Sequence, residues 1–512
     1  MAGNVKPSEG LVQRALAGHA AIGLLIGAAL YLVCLSGALV VLQEHLQRWE
    51  EPSAAEMAEI SPQAAQRALE GLLARQGKPT THAFIHLPTE GLPRVVVTTD
   101  NGAAYVDAAG RYDAPEAHVW TEFVLFLHYY LHLPMFWGLL LTGTLGIMLC
   151  AATVTGVIAH PRIFRDAFRM RLRGRPQLSR SDLHNRFGVW LLPFVAALGF
   201  TGAILGLGQL VFQTIAAERH AGDFEAAYGP LFGAEPKADT SPAPVARADR
   251  ALAWMAAHRP GHRVTYVTIE EPGTAGQQIA VLADHDRRLI YGETYLFGGT
   301  GNYRGNVGLS DGRTGQQAIA SIYKMHFGTF GGVPVEIAYF LFGLALCAII
   351  STGTTLWLMK RRARGRPSTR LEAQWAVTIW GSPLALALVY WLRAIAGAEA
   401  PLVPVFWGLL VLGLAAATLR PAEITSARLR TALGLALLAT GIGHFALAPT
   451  HPASSAAIDL ALALSGAGLG LLPLARRKAN AASERGVPEN ADQIGNSVVA
   501  LISDKATIEL IS

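Results

Sequence analysis

Two histidines open long apolar stretches of this chain in the same sequence context. Residues 18–38 read GHAAIGLLIGAALYLVCLSGA, and residues 183–203 read LHNRFGVWLLPFVAALGFTGA. One glycine follows the histidine after four residues and another after eighteen, so His19 and His184 share the pattern H-x3-G-x13-G. An ionisable side chain in a membrane helix is costly and usually faces the bundle interior or a ligand. The matched spacing therefore predicts a shared role for the two imidazoles.

A second set of histidines lies near the other end of the apolar segments. His128 and His132 are the ends of HYYLH, and His326 lies in KMHFG, each just before another apolar run. Residues eighteen positions apart on a helix are separated by about 27 Å along its axis. The histidines are therefore predicted to lie in two layers near opposite faces of a membrane.

Paired neutral imidazoles on neighbouring helices are typical axial ligands of electron-transfer haems. The spacing therefore predicts two haem b groups. The inner haem is bound by His19 and His184, and the outer haem by His326 with either His128 or His132. Alignment of the two halves favours His128 and leaves His132 open. The chain has no CxxCH motif, which excludes covalent c-type attachment. No catalytic acid or base is expected, because haem itself supplies the redox chemistry.

Other roles for histidines compete with this prediction. Zinc prefers four close ligands, often with cysteine or carboxylate among them, whereas these histidines form two distant pairs. A proton relay needs intramembrane carboxylates, and none lines up with the histidines in the repeated helices. A lone histidine at a helix end is usually a cap or a headgroup contact. That role is expected for His45, His118, His444 and His451.

The composition predicts an integral membrane protein surrounded by lipid. Of the 512 residues, 51% are hydrophobic and 15% are charged, whereas soluble domains carry about 25% charged residues. Apolar runs of about 18 residues or more predict transmembrane helices. Eight such runs are present, at 18–43, 134–159, 185–214, 334–359, 374–393, 402–419, 429–447 and 456–475.

Basic loops set the predicted orientation. HPRIFRDAFRMRLRGRPQLSR follows the second apolar run and KRRARGRPSTR follows the fourth. By the positive-inside rule these loops face the cytoplasm, so both termini are cytoplasmic and the polar segments 46–120 and 220–322 face a periplasm. The loops also account for the net charge of +5, and no nucleic-acid partner is expected. The predicted location is a bacterial inner membrane.

The chain contains an internal repeat. GIMLCAATVTG at 146–156 aligns with GLALCAIISTG at 343–353, and each polar segment reads as one helix followed by strands. The predicted fold is an α-helical integral membrane protein. Duplicated two-helix units form a four-helix haem-binding core with two periplasmic α+β domains and an appended four-helix bundle. The predicted transmembrane helices are 14–45, 128–160, 184–214 and 326–360, the periplasmic domains 46–120 and 220–322, the basic cytoplasmic loop 161–183, the additional helices 374–475 and the cytoplasmic tail 476–512.

At these residues the chain resembles the PepSY-associated transmembrane helix family, which includes inner-membrane ferric-siderophore reductases and iron-uptake proteins. The resemblance covers about 14–362 and rests on GHAAIG, LHNRFG, LHYYLH and KMHFG, and on the Thr-Gly ends of 155–156 and 352–353. The polar segments resemble PepSY modules, most clearly in RVVVTTDNGAAYVDAAGRY. The resemblance implies a four-helix haem-binding core that passes electrons across the inner membrane to a ferric chelate. It does not explain the bundle at 374–475.

These observations predict a transmembrane ferric-chelate reductase. A cytoplasmic flavin or flavoprotein is the expected reductant, and a ferric siderophore or another ferric chelate in the periplasm is the expected substrate. The alternative is a non-enzymatic, membrane-anchored PepSY protein that binds or regulates an envelope partner. A transporter is a third possibility, but the two halves share one orientation and show no midplane charge pairs.

Overall fold

Eight membrane-spanning helices dominate the fold. The computed structural model describes residues 9–162, 168, 176–233, 239–285 and 289–484. Within these residues, eight helices are long and apolar enough to cross a membrane, which confirms a multi-pass membrane protein. Residues 163–167 and 169–175 of the predicted basic loop, and 485–512 of the predicted tail, lie outside the described residues. The spans are Gly10–Val40, Met135–Ala159, Leu192–Arg219, Gly332–Ala363, Thr369–Ala396, Leu402–Leu419, Ser426–Leu447 and Ala453–Gly470.

A similar order of elements occurs twice along the first 363 residues: helices, four strands and two further helices, with one more helix before the strands in the second half. The first half contains α1 (Glu9–Val40), α2 (Gln43–Glu50), α3 (Pro62–Gln76), β1 (His82–His86), β2 (Val96–Thr99), β3 (Gly102–Val106), β4 (Tyr112–Pro115), α4 (Val119–Tyr130) and α5 (Met135–Ala159). The second half contains α6 (Pro176–Trp190), α7 (Leu192–Arg219), α8 (Phe224–Phe232), α9 (Ala248–His258), β5 (Val264–Glu270), β6 (Gln278–Ala283), β7 (Glu293–Gly298), β8 (Tyr303–Asn306), α10 (Thr314–Phe327) and α11 (Gly332–Ala363).

Short breaks separate most of the histidines from the membrane spans predicted to carry them. His128 lies near the end of α4, and Leu131 and His132 then adopt a left-handed backbone, each with φ 54°. Pro134 follows, and a residue that precedes proline is disfavoured in a helix. His326 similarly lies near the end of α10, before a left-handed Gly328. The ranges 128–160, 184–214 and 326–360 therefore each contain parts of two helices.

The two polar segments form one continuous sheet. Its strand order is β4-β3-β2-β1-β5-β6-β7-β8, and every neighbouring pair is antiparallel. Strands β1 and β5 join the halves, with Ile85 opposite Val267. Helices α3 and α9 contribute to a single core that contains residues of both halves. Two separate domains were predicted from sequence. The structure differs because each four-stranded sheet covers the exposed edge of the other.

The remaining helices pack mainly on the first half of the repeat and also contact α11 of the second half. They are α12 (Thr369–Ala376), α13 (Ser382–Ala396), α14 (Leu402–Leu419), α15 (Ser426–Leu447) and α16 (Ala453–Glu484). A π-helical segment, Val377–Gly381, joins α12 and α13 into one span. We call α12–α16 the appended bundle. Its contact with the first half includes an aromatic stack, in which the rings of Trp49 of α2 and Tyr390 of α13 are 4.6 Å apart between centroids.

Two histidines expected at helix ends as caps or headgroup contacts are instead buried in polar clusters. His444 is 8% exposed, its Nδ1 lies 2.8 Å from Oδ1 of Asp459, and its Nε2 lies 2.8 Å from the Trp49 carbonyl oxygen. His118 is also buried, and its Nδ1 lies 3.3 Å from Oε1 of Glu116. Sequence position at a helix end did not reveal the partners of His444, because they come from α2 and α16.

Candidate functional site

The predicted histidines meet in two pairs, one at each membrane face. The ring centroids of His19 and His184 are 6.0 Å apart, and those of His128 and His326 are 6.2 Å apart. The ring planes differ by 73° in the first pair and by 26° in the second. We call these the inner pair and the outer pair. The outer pair lies on the face that carries the sheet, because α4 and α10 directly follow strands β4 and β8.

His132 does not join the outer pair. Its Nε2 lies 2.9 Å from the Phe123 carbonyl oxygen, and its ring stacks on the Phe123 ring at 4.6 Å between centroids. The other ring contacts of His132 are with Phe126 and Tyr130, and its ring is not paired with that of His326. The structure therefore brings His128, and not His132, against His326.

Three of the four paired histidines donate a hydrogen bond from Nδ1 to a backbone carbonyl of a neighbouring helix. A carbonyl oxygen can only accept, so Nδ1 carries the proton and Nε2 keeps its lone pair. This is the neutral tautomer that binds a metal through Nε2, and the carbonyl fixes the ring orientation. The Nδ1–oxygen distances are 2.8 Å for His19 to Ala152, 2.9 Å for His184 to Ile349 and 2.9 Å for His128 to Val33.

In His326 a side-chain hydroxyl, rather than a backbone carbonyl, accepts the Nδ1–H hydrogen bond and fixes the same tautomer. Its Nδ1 lies 3.0 Å from Oγ1 of Thr201. That hydroxyl donates its hydrogen to the Ala197 carbonyl oxygen at 2.7 Å, so it accepts from the imidazole. Nε2 of His326 is again the unprotonated nitrogen.

Each ring of the two pairs lies against a glycine of a neighbouring helix. A methyl group built on that glycine would lie within 3.2 Å of Cε1 of the ring, closer than ordinary van der Waals contact. Every such glycine follows a serine or threonine. We call these dipeptides the Ser/Thr-Gly motifs. They are Thr155-Gly156 against His19, Thr352-Gly353 against His184, Ser36-Gly37 against His128 and Thr201-Gly202 against His326.

The glycine explains how an imidazole reaches a helix carbonyl. Ala152, Ile349 and Val33 each lie four residues before the motif glycine, so their carbonyls point along the helix toward the missing side chain. Without a Cβ at that position, a ring from another helix can approach the backbone closely. The Thr-Gly ends are visible in the sequence, but their contact with the imidazole rings is not. The signal that could have found it is the recurrence of LSGA, VTGV, FTGA and STGT.

A cavity of about 940 Å³ lies beside the inner pair. Its lining includes His19, His184, Gly23 and Gly188, and no atom lies within 4 Å of a methyl group built on either glycine. Most of the other lining groups are apolar side chains of the membrane helices. The volume lies within the range of about 300–1,000 Å³ that is usual for ligand and cofactor pockets. Gly23 and Gly188, the glycines four residues after each histidine, thus line open space.

Basic side chains line the same cavity. Lys360, Arg361, Arg364 and Arg366 come from the end of α11 and the loop that follows it. The Nε atom of Arg361 is buried and has no hydrogen-bond partner among the described residues. A buried, unpaired guanidinium nitrogen is costly unless an acceptor such as a carboxylate approaches it.

These features fit a haem at the inner pair. A metal–imidazole bond is about 2 Å long, so two rings bound on opposite sides of one metal have centroids about 6 Å apart. The cavity can take a flat apolar macrocycle, and its basic side chains suit the two propionates. At the outer pair the donor set and the spacing of the rings match those of the inner pair. Within the described residues, no three His, Cys, Asp or Glu side chains converge as a metal site.

The part of the chain that matches a known family is the part that contains the repeat. A family model described as the PepSY-associated TM region matches residues 16–360, about two thirds of the chain. The chain is also similar to an uncharacterised protein of Pseudomonas aeruginosa. The two are 27% identical over 355 residues, which cover 60% of this chain and 83% of the relative. The matched region ends near the end of α11, so the appended bundle lies outside it.

Proposed function

The chain belongs to the PepSY-associated transmembrane family, and on this premise we propose that it reduces ferric iron across a membrane with two bound haem b groups. One haem is held by the inner pair and the other by the outer pair. One observation carries the proposal: each of the four histidines is held through Nδ1 against a Ser/Thr-Gly motif, with Nε2 left for a metal.

Haem with two imidazole ligands supplies one-electron transfer when bound. The chain contributes position and electrostatics. The carbonyls of Ala152, Ile349 and Val33 hold three of the imidazoles in one orientation and make Nε2 a better ligand. The basic side chains of α11 provide compensation for anionic propionates at the inner pair.

The two layers suit transfer across the bilayer. Helix α1 carries His19 near one face and Gly37, which contacts His128, near the other. These two positions are separated by about 27 Å along the helix. We place the sheet in the periplasm of a bacterial inner membrane, because Lys360, Arg361 and Arg362 lie at the opposite end of α11. The electron donor is then a reduced flavin or flavoprotein in the cytoplasm.

The proposed substrate is a ferric siderophore or another ferric chelate on the sheet side. Each Fe(III) takes one electron and becomes Fe(II), and the chelator is not consumed. A two-electron flavin hydroquinone reduces two ferric chelates and releases two protons as it is oxidised. Lower charge weakens the hold of hard oxygen ligands, so the ferrous ion leaves the chelator more readily.

The test is vectorial reduction in sealed vesicles that contain the full chain. Reduced flavin is added on one side, and a ferric chelate with a ferrous-specific dye is enclosed on the other. We expect coloured ferrous complex only when the sheet side faces the chelate. His184→Ala and His326→Ala should abolish it, whereas His132→Ala should retain it. Reduction no faster than in protein-free vesicles, by a protein that contains both haems, would overturn the reductase proposal. A wild type without haem would favour the non-enzymatic PepSY alternative.

A further inference from the structure

The appended bundle contacts the helix that carries His128. Trp120, in the first turn of α4, donates from Nε1 to the Leu386 carbonyl oxygen of α13 at 3.0 Å. Arg393 of α13 donates from Nη2 to the Ala117 carbonyl oxygen at 2.7 Å, just before α4 begins. These bonds connect the bundle to the helix two turns from His128.

A buried carboxylate strengthens this connection. Glu50, at the end of α2, is 6% exposed. Its oxygens accept the backbone N–H groups of Trp120 at 2.9 Å and Thr121 at 2.8 Å, and Nε of Arg393 lies 2.8 Å from Oε1. A negative charge at a helix N-terminus stabilises the first turn and satisfies its free N–H groups. Arg393 compensates the charge of this buried carboxylate.

Apolar contacts continue along α4 to the ligand itself. The rings of Phe123 in α4 and Phe406 in α14 are 5.4 Å apart between centroids. Leu127, the residue before His128, is 1% exposed and belongs to the same core cluster as Phe406 and Val389 of the bundle. The face of α4 next to His128 is therefore packed on the bundle.

The helix that accepts the hydrogen bond of His128 is attached to the bundle as well. Tyr31 of α1 donates from its hydroxyl to the Ile379 carbonyl oxygen at 2.8 Å, within the π-helical segment. Val33, two residues further on, accepts from Nδ1 of His128. The two helices that carry the donor and the acceptor of this bond, α4 and α1, are thus both hydrogen-bonded to the same span, Thr369–Ala396.

The other histidine of the outer pair, His326, lies on a helix that packs on different elements. His326 lies in α10, which packs mainly on α7 and α8 of its own half. The repeat therefore supplies the same kind of ligand twice, and of the two outer-ligand helices it is α4, the helix of His128, that packs on α13 and α14 of the appended bundle.

We propose that the appended bundle positions His128 for the outer haem, with Trp120 and Tyr31 as positioning residues. This inference rests on the function proposed above, because it requires a haem at the outer pair. Weakening either bond changes the orientation of the His128 ring and leaves the inner haem unaffected.

The test uses the purified holoprotein and electron paramagnetic resonance of the oxidised haems. The angle between two axial imidazole planes sets the splitting of a low-spin ferric signal, so the 26° and 73° pairs should give separable signals. The outer signal is the one that His326→Ala removes. Trp120→Phe removes only the indole donor, and Tyr31→Phe removes only the hydroxyl. The matched control is Trp391→Phe, because Trp391 donates to Thr440 inside the bundle at 3.0 Å.

We expect Trp120→Phe and Tyr31→Phe each to shift the outer signal and to speed loss of the outer haem to apomyoglobin about fivefold, the factor that one hydrogen bond is worth. The inner signal and the control should match the wild type. Two haems with unchanged outer signals in both variants would overturn this inference alone. Equal shifts at both haems, or in the control, would also overturn it. A wild type without haem would remove this inference together with the proposed function.

Discussion

Each of the four paired imidazoles lies against one glycine of a neighbouring helix, and the missing Cβ of that glycine allows the close approach. The serine or threonine of each Ser/Thr-Gly motif bonds to a carbonyl of its own helix, as in Thr155 to Ala151 at 2.7 Å and Thr352 to Ala348 at 2.6 Å. Its hydroxyl is thus satisfied within the helix, and the glycine beside it leaves room for the ring. At His326 the Thr201 hydroxyl also accepts the imidazole N–H.

The glycine beside the outer pair gives the first prediction. A methyl group at Gly37 would lie 2.7 Å from Cε1 of His128, too close for van der Waals contact. Overpacking of this kind typically costs about 1–3 kcal/mol. We expect Gly37→Ala to lower the outer haem content of the purified protein and to spare the inner haem, as measured by haem per chain. Gly18→Ala is the control, because no atom lies within 4 Å of its added methyl group. Full haem content in Gly37→Ala would show that the outer haem does not depend on the close contact between Gly37 and His128.

The candidate residues could be predicted from type and spacing, but their partners could not. The shared H-x3-G-x13-G pattern identified His19 and His184, because the repeat preserves distances within one helix. Thr155-Gly156 lies on α5, far along the chain from His19, so sequence distance carries no information about their contact. The choice of His128 also needed the backbone, since the left-handed turn at Leu131 and His132 separates two histidines that helical periodicity placed on one face.

At the scale of elements, hydropathy predicted all eight spans and missed the breaks near the histidines. An apolar run does not reveal a short break, because hydropathy reports how apolar a segment is and not the backbone dihedrals at a single residue. Strands were predicted in both polar segments. Alternation defines the buried face of a strand but not its neighbour, so the pairing of β1 with β5 was not predicted.

A buried carboxylate in the sheet gives a prediction with a pH dependence. Glu293 begins β7, is 1% exposed and accepts hydrogen bonds from the Gly308 and Ser310 backbones and the Ser310 hydroxyl. Burial raises the pKa of Glu293, but these hydrogen bonds outweigh it and leave the pKa below the usual 4.5. A lowered folded pKa means that this stabilisation is complete above pH 4.5 and is lost as the pH falls through the folded value.

We therefore expect Glu293→Gln to lower the protection of segment 307–312 by about 2 kcal/mol at pH 7, since bonds to a charged acceptor are lost. Hydrogen–deuterium exchange, corrected for intrinsic rates, measures this protection. The wild type should lose it as the pH falls below 4.5, and the variant should lack that pH dependence. Glu218→Gln, at an exposed position, is the control. Equal protection in wild type and variant at pH 7 would show that the carboxylate does not organise this segment.

At the scale of the molecule, the duplication produces one sheet above two histidine layers. A paired-cysteine experiment tests the junction. Phe84 and Thr268 are direct partners across β1 and β5, and such residues have Cα atoms about 4.5–5.5 Å apart, within disulfide range. We expect Phe84→Cys with Thr268→Cys to form a disulfide on mild oxidation, seen as loss of two thiols by mass spectrometry.

The control for this experiment is Thr98→Cys with Ala280→Cys. These residues lie on β2 and β6, which are separated by β1 and β5, so their Cα atoms are about 14 Å apart. The native cysteines Cys34, Cys150 and Cys347 all lie in membrane helices and form a constant background. Failure of the first pair to oxidise, or equal oxidation of the control pair, would mean that the halves do not share one sheet.

The central claim is that both histidine pairs bind haem. The most direct measurement is a reduced-minus-oxidised visible spectrum of the purified full chain, with haem per chain determined after expression with ample haem. We expect a b-type spectrum with two haems per chain, one lost in His19→Ala, one lost in His128→Ala, and both kept in His132→Ala. A colourless protein, or haem content unchanged by His19→Ala and His128→Ala, would show that the two pairs do not bind haem.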